Sequence, residues 1–324
     1  MTRRSPARAA PGEWLTGRVR PPVDRSPRVS PPALFERLAE IGRARSAGGD
    51  ASVLYDRHGV LVVRVGDVVV KAHQADRDGG PRLERRMRVA ASLPELLLPP
   101  LDGPLRVDGR VVTVWPYGEP VSPDAVPWEE AGRLLAALHT CPVPADAPPW
   151  GRPTRVGRLV RRLPDGPEAA QVRRAFATLP SWIRAGEDDG GADGGAPQRL
   201  IHGDWHLGQL VRAGDGWRLI DVEDLGRGDP VWDLARPAAL FSAGVLPPGD
   251  WARFLRAYRE AGGPAVPSDG DLWRVLDLPA RTLAIQIAAT CVISARADGR
   301  PLDGPERALV DTCGRICEAG PGMT

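Results

Sequence analysis

The chain has 324 residues, 42% of them hydrophobic and 26% charged, which is ordinary for a globular protein and enough to bury one large core or two lobes. Its 43 basic and 41 acidic side chains leave a formal charge of +2, so there is no global case for nucleic-acid binding. No stretch approaching ~18 consecutive apolar residues and no signal-peptide core are visible, so neither a membrane span nor export is expected.

Residues 1–30 carry seven Arg against Glu13 and Asp24 and lack the apolar content to fold, so a disordered arm is expected there. "PPALFERLAEIGRAR" (31–45) then has the spacing of a short amphipathic helix. The pattern changes to strands at "SAGGDASVLY", "GVLVVRVGD" and "DVVVKAHQ", with turns at His58-Gly59 and Gly66-Asp67. "GPRLERRMRVAASLP" reads as a helix with Glu84 on its first turn. Two more strands follow in "LLLPPLDGPLRVDGRVVTVWPYGEP", the second ending at Trp115-Pro116. These elements make a five-stranded antiparallel sheet with one inserted helix. "WEEAGRLLAALHTCP" opens a second half dominated by helical signals, interrupted by the acidic, Gly-rich insertion 186–197. Three or four helices are expected from "GDWARFLRAYREAG" onward. The four Cys, at 141, 291, 313 and 317, form no CxxC pair; they read as reduced, mostly buried thiols, which suits a cytoplasmic protein.

Of the 43 basic residues 42 are Arg, and the single Lys is Lys71, at the end of the β-branched run "VGDVVVKAH". A Lys is a compact point charge on a slim stem and fits where the planar fork of Arg does not. Downstream, "LIHGDWHLGQL" (200–210) crowds two of the five His, an Asp and a Gln into a strand end, and "LIDVEDLGRGDPVWDLA" follows. The order is a Gly pair, a strand Lys, a helix Glu, a linker strand, HxDxxxxQ and IDxE. It suits phosphoryl transfer, where a protein mostly positions groups and neutralises charge. In that reading Lys71 holds phosphates and Glu84 fixes its ammonium, while Gly48 and Gly49 let the backbone approach a nucleotide. Asp204 orients or deprotonates a hydroxyl, and Gln209 and Asp221 offer oxygens to a hard cation.

The residues His202, Gly203, Asp204, His206, Gln209, Ile220, Asp221, Glu223, Gly228, Asp229, Pro230 and Asp233, with Lys71, Glu84 and the "GRLLAALH" helix, resemble the aminoglycoside phosphotransferase and choline kinase-like family. The resemblance spans about residues 33–320. It implies an α+β, two-lobed, protein-kinase-like fold: a small antiparallel β-sheet N-lobe over 31–118 and a larger, mainly helical C-lobe over 119–324. It also implies ATP, or GTP, as phosphoryl donor, Mg²⁺ as cofactor and a small-molecule hydroxyl acceptor, with no nucleic-acid or membrane partner. Trp115 and Tyr117 flank the expected adenine hinge and would read the base through their backbone groups. The family usually has Asn where this chain has Gln209; a similar "HGD-HLGQ" loop occurs in maltokinase-like members, and Gln keeps the amide oxygen.

Other readings stand beside these. His202 is expected to brace the loop, and Asp233 to accept backbone N–H bonds from it. His206 is open between loop packing and phosphate contact, and Asp229 with Pro230 reads as a turn. Glu223 and Asp224 either touch the acceptor or face water. Only seven residues separate Asp221 from Asp229, too few for the activation segment of a protein kinase. A non-catalytic nucleotide-binding protein and a maltokinase-like sugar kinase remain alternatives. Residues 200–324 hold 13 basic and 17 acidic side chains, which favours a cationic acceptor such as an aminoglycoside or amino alcohol.

Overall fold

A computed structural model describes residues 30–57, 59–74, 80–150, 153, 155–185 and 198–319. The arm expected over 1–30, apart from Ser30, and the 186–197 insertion lie outside the described residues, as does His58 of the first expected turn. The first lobe holds helix α1 (Pro32–Arg43), strands β1 (Ala51–Arg57), β2 (Val60–Val65) and β3 (Val68–Ala72), helix α2 (Pro81–Ser92), and strands β4 (Leu105–Val107) and β5 (Arg110–Pro116). The strands form the expected five-stranded antiparallel sheet, and its order is β1-β2-β3-β5-β4.

Strand alternation explains how this lobe works. Val63, Val65, Val70, Ala72, Val112 and Val114 are buried on one face, under Leu34 and Leu38 of α1. Successive strand residues point to opposite faces, so the intervening Val62, Lys71 and Thr113, which lie in one cross-strand row, turn to the other side. That side faces the second lobe. Lys71 therefore points toward the second lobe because its neighbours Val70 and Ala72 face the core.

The second lobe begins with β6 (Glu119–Pro120) and α3 (Trp128–Thr140), then α4 (Arg155–Arg161), α5 (Pro167–Ala177), α6 (Ser181–Arg184) and strands β7 (Arg199–Ile201), β8 (Leu210–Ala213), β9 (Gly216–Leu219) and β10 (Gly226–Gly228). It closes with α7 (Val231–Ser242), α8 (Pro248–Glu260), α9 (Trp273–Ala297) and α10 (Gly304–Glu318). Its own core centres on Trp128, Leu135, Leu138, Phe254 and Tyr258. Two small sheets that sequence patterning does not reveal, β6-β8-β9 and β7-β10, frame the polar loop after β7. Leu219 ties the lobes together: its N–H donates to Leu96 O and its carbonyl accepts from Leu98 N, both at 2.9 Å.

Helix α9 corrects one expectation, because by length and composition alone it could cross a membrane. More than half of its most apolar window is buried inside the lobe, where it packs against α7 and α10. Its apolarity is that of a core helix. All four Cys are free, with Cys291 and Cys313 buried.

Candidate active site

Lys71 Nζ lies 2.9 Å from Asp221 Oδ1 and forms a second, short ion pair with Glu223. Burial alone would lower the ammonium's pKa, but the Asp221 and Glu223 carboxylates outweigh it and hold the group above its ordinary value, so Lys71 is charged. Glu223 in turn lies 2.9 Å from His73 Nδ1, and His73 Nε2 is 3.0 Å from the Thr113 hydroxyl, which accepts the Trp115 indole N–H at 2.9 Å. Glu223 is thus fixed by Lys71 and His73 of the N-lobe.

Glu84 does not take the part expected of it. Leu83, Met87 and Ala90 form the buried stripe of α2, which leaves Glu84 on the solvent side with its carboxylate 3.2 Å from Arg88, one turn on. Its side chain is 56% exposed, against 12% for Glu223. Glu223 is the residue that holds Lys71. Accordingly, Glu223→Gln should weaken binding of Mg·AMP-PNP by about tenfold, the scale of one charged hydrogen bond, and Glu84→Gln by less than about twofold. Calorimetry that found equal losses would return Glu84 to the site.

Asp221 stands at φ 62°, ψ 58°, the left-handed region that non-glycine residues seldom occupy. The unusual backbone aims one carboxylate oxygen at Lys71 and the other at the Gln209 amide, 3.4 Å away. Gln209 is buried, held by its N–H to His206 O and its carbonyl to Ile220 N, both 2.9 Å. His206 belongs to the packing of this loop: its Nδ1 accepts from Gly208 N at 3.0 Å and its Nε2 meets the Gln209 amide at 3.1 Å. A carboxylate and an amide oxygen suit Mg²⁺, a hard cation usually bound by one or two carboxylates, waters and substrate phosphates. Among the described residues no larger cluster of metal ligands exists, and such a site needs none.

Around Asp204 the loop is braced from below. Asp233, on the first turn of α7, accepts His202 N at 2.6 Å and Gly203 N at 2.8 Å, the role its position in the sequence suggests. Its Oδ2 also accepts from His139 Nε2 at 3.0 Å, and His139 Nδ1 meets the Tyr258 hydroxyl at 2.8 Å. Every polar atom in that buried chain has a partner, so the loop rests on a rigid floor. His202 Nε2 donates to Ile220 O at 2.8 Å, joining the loop to the strand end before Asp221. Asp229 caps the turn into α7 by accepting Val231 N at 3.0 Å.

The Asp204 carboxylate accepts from Arg236 Nη2 at 2.8 Å. Burial would raise its pKa, but Arg236, His206 and Arg155 prevail and hold it below the ordinary carboxylate range. Asp224 forms a short ion pair with Arg155. The acids near the loop are therefore each spoken for, Glu223 by Lys71, Asp224 by Arg155 and Asp204 by Arg236. The excess of acid counted over residues 200–324 does not become an acidic cleft. A small cleft lies beside Asp204, walled by Trp150, Trp205, Trp232, Arg155 and Arg236. Sequence reasoning missed both arginines; Arg236 sits only three residues after Asp233 in "DLAR", which is the one signal that could have marked it.

The hinge and the glycine pair also depart from expectation. Tyr117 N donates to Asp67 O at 2.7 Å and His73 N to Val111 O at 2.9 Å, which fixes the phase of the β3–β5 ladder. In an antiparallel pair bonded residues alternate with non-bonded ones, so Trp115 and Tyr117 spend their backbone groups on β3. The Pro116 carbonyl is left outside the β3 ladder. A β-carbon at Gly118 would stand 2.3 Å from Val211 Cγ2, so the chain passes too close to β8 for a side chain there. Gly48 and Gly49 precede β1 and pack on the β2–β3 turn, where a β-carbon on Gly49 would come 2.8 Å from Gly66 Cα. That turn is four residues along β2 from the row of Lys71, about 13 Å away, so the pair packs on this turn at a distance from Lys71.

With the geometry in place, comparisons with known proteins are informative. A family model described as "Phosphotransferase enzyme family" matches residues 53–278. A choline/ethanolamine kinase family protein from Mesorhizobium loti is similar in structure, with 21% sequence identity, a TM-score of 0.55, and 89% of this chain and 93% of that one covered. Choline kinase LicA from Streptococcus pneumoniae matches with 15% identity and a TM-score of 0.55 over 89% and 99% of the two chains. A thermostable mutant of the aminoglycoside phosphotransferase APH(4)-Ia, in a ternary complex with AMP-PNP and hygromycin B, matches with 14% identity and a TM-score of 0.57 over 90% and 100%.

Proposed function

The chain belongs to the phosphotransferase enzyme family, and from that premise we propose that it transfers the γ-phosphoryl group of ATP to a hydroxyl of a small molecule. The observation that carries this reading is the contact between Lys71 of the N-lobe sheet and Asp221 of the C-lobe, 150 residues apart, with Gln209 on the second Asp221 oxygen. The three converge where the N-lobe sheet meets the C-lobe. The nucleotide in the similar aminoglycoside phosphotransferase complex supports the choice of donor.

In this mechanism the Pro116 carbonyl and Gly118 N–H read the base, and Lys71, steadied by Glu223, neutralises the phosphates. Asp221 and Gln209 would hold Mg²⁺, which would supply positive charge to the phosphoryl oxygens. Turning the Gln209 amide about its last torsion presents oxygen where the nitrogen now meets Asp221. Asp204 accepts a hydrogen bond from the acceptor hydroxyl and takes its proton as the new O–P bond forms and the bond to the β-phosphate oxygen breaks. A carboxylate with a depressed pKa suits this task, because a loose transition state asks the nucleophile to be aimed more than deprotonated. Purified protein incubated with Mg²⁺ and radiolabelled ATP against a panel of hydroxylated antibiotics, sugars and amino alcohols tests the reading. Transfer of label to an organic acceptor supports it, and label released only as inorganic phosphate contradicts it.

A further inference from the structure

The edge strand β1 is irregular at one point. Val53 pairs with Val63, which faces the N-lobe core, and strict alternation would send Tyr55 to that same face. The register shifts between them, at Leu54, so Tyr55 pairs instead with Val62, which shares the face of Lys71. A bulge of this kind re-aims the side chains that follow it and is common next to functional sites. Arg57 pairs with Val60, two residues from Val62, and so lies on the same face as Tyr55.

The result is one cross-strand row, Tyr55–Val62–Lys71–Thr113, turned toward the second lobe. Tyr55 and Lys71 stand two strands apart, about 10 Å, with only the short Val62 side chain between them. Partial burial raises the pKa of the Tyr55 phenol, and the charges of Arg57, Lys71 and Asp221 all reach it, so it is a hydrogen-bond donor at neutral pH. Tyr55 is 42% exposed, and among the described residues neither its hydroxyl nor the Arg57 guanidinium has a hydrogen-bond or ion-pair partner.

The backbone offers little in their place. Only residues 58 and 59 separate β1 from β2, which leaves no room for a glycine-rich loop that would cradle phosphates through its N–H groups, and Gly49 packs on Gly66 at the other turn. Direction along the sheet then assigns the parts. Pro116, proposed to meet the base, pairs with Val68 on one side of the row, and Arg57 lies on the other side. A nucleotide extending from the base past Lys71 ends near Arg57, whose planar fork matches phosphoryl oxygens. We infer that Tyr55 and Arg57 form the second wall of the phosphate site, opposite Lys71. The Tyr55 hydroxyl donates to the phosphates that Lys71 neutralises, and the Arg57 guanidinium takes the γ-phosphoryl oxygens. This rests on the reading of Lys71 as the residue that meets the nucleotide phosphates.

Calorimetry with Mg·AMP-PNP and Mg·ADP tests both parts. Tyr55→Phe, which removes only the hydroxyl, should weaken both nucleotides about tenfold, the scale of one hydrogen bond to a charged group. Arg57→Gln should weaken Mg·AMP-PNP about tenfold and Mg·ADP by less than about twofold. Arg57→Lys, which keeps the charge without the fork, should fall between Arg57→Gln and wild type. Neither side chain belongs to the N-lobe core, so the nucleotide-free variants should melt with the wild type. Unchanged affinities in Tyr55→Phe, or equal losses of the two nucleotides in Arg57→Gln, overturn the inference and leave the kinase reading standing. A wild-type protein that binds neither nucleotide contradicts the kinase reading, and this inference with it.

Discussion

Asp204→Ala should cut turnover about 10²- to 10⁴-fold while leaving affinity for Mg·ATP within about twofold, the range expected of a positioned acid–base group. The carboxylate lines the cleft proposed here for the acceptor and touches Arg236, not Lys71 or Asp221, so its loss should fall on kcat. The sign of the pH dependence follows from the same geometry. A pKa held below the ordinary carboxylate range keeps Asp204 ionised as pH falls, so the acid limb of the rate profile should lie below that range. Arg236→Gln removes a guanidinium that stabilises the charge and should move that limb upward. Steady-state kinetics on the three proteins decide the matter; near-normal turnover in Asp204→Ala would remove the residue from the mechanism.

The second large effect is expected at Asp221. Asp221→Ala should abolish most Mg²⁺-dependent nucleotide binding and lower kcat/KM at least about 10²-fold, since a metal clamp on phosphoryl oxygens supplies several kcal/mol. The backbone allows this to be separated from misfolding. At φ 62° an alanine is strained by roughly 1–2 kcal/mol, a cost that glycine does not bear. Asp221→Gly should therefore unfold at a higher temperature than Asp221→Ala and be equally inactive. If activity recovered along with stability, the loss would come from strain and not from the missing carboxylate.

These effects could be anticipated to different degrees from the chain itself. Period-two alternation in "VGDVVVKAH" is enough to send Lys71 to the face opposite the core, and the short spacing of Asp204, Gln209 and Asp221 leaves them little room to part. Asp233 is legible for the same reason, being on the first turn of a helix beside the loop it braces. Glu84 was assigned by its order along the chain, yet Arg88 four residues on and the Leu83–Met87–Ala90 stripe already place it on the solvent face. What the pattern does not carry is pairing across long separations. Arg155 with Asp224, and Arg236 with Asp204, join helices to loops 69 and 32 residues away, and no local periodicity encodes such contacts. A count of acids over a whole half-chain does not show which of them are ion-paired, and Glu223, Asp224 and Asp204 each acquire a cation on folding. That Tyr117 N is bonded to Asp67 O and that Gly49 packs on Gly66 depend on ladder phase and cross-strand packing, which follow from register.

The central claim, that Lys71 meets the phosphates of a nucleotide in the interlobe cleft, has an unusually clean test because it is the only Lys in the chain. An amine-selective reagent can modify that residue and the N-terminal amine and no other amine. With saturating Mg·ATP, peptide mass spectrometry should show Lys71 protected at least about tenfold while the N-terminus reacts as before, as expected when a bound ligand covers a charged group. Equal labelling of Lys71 with and without Mg·ATP would contradict the account.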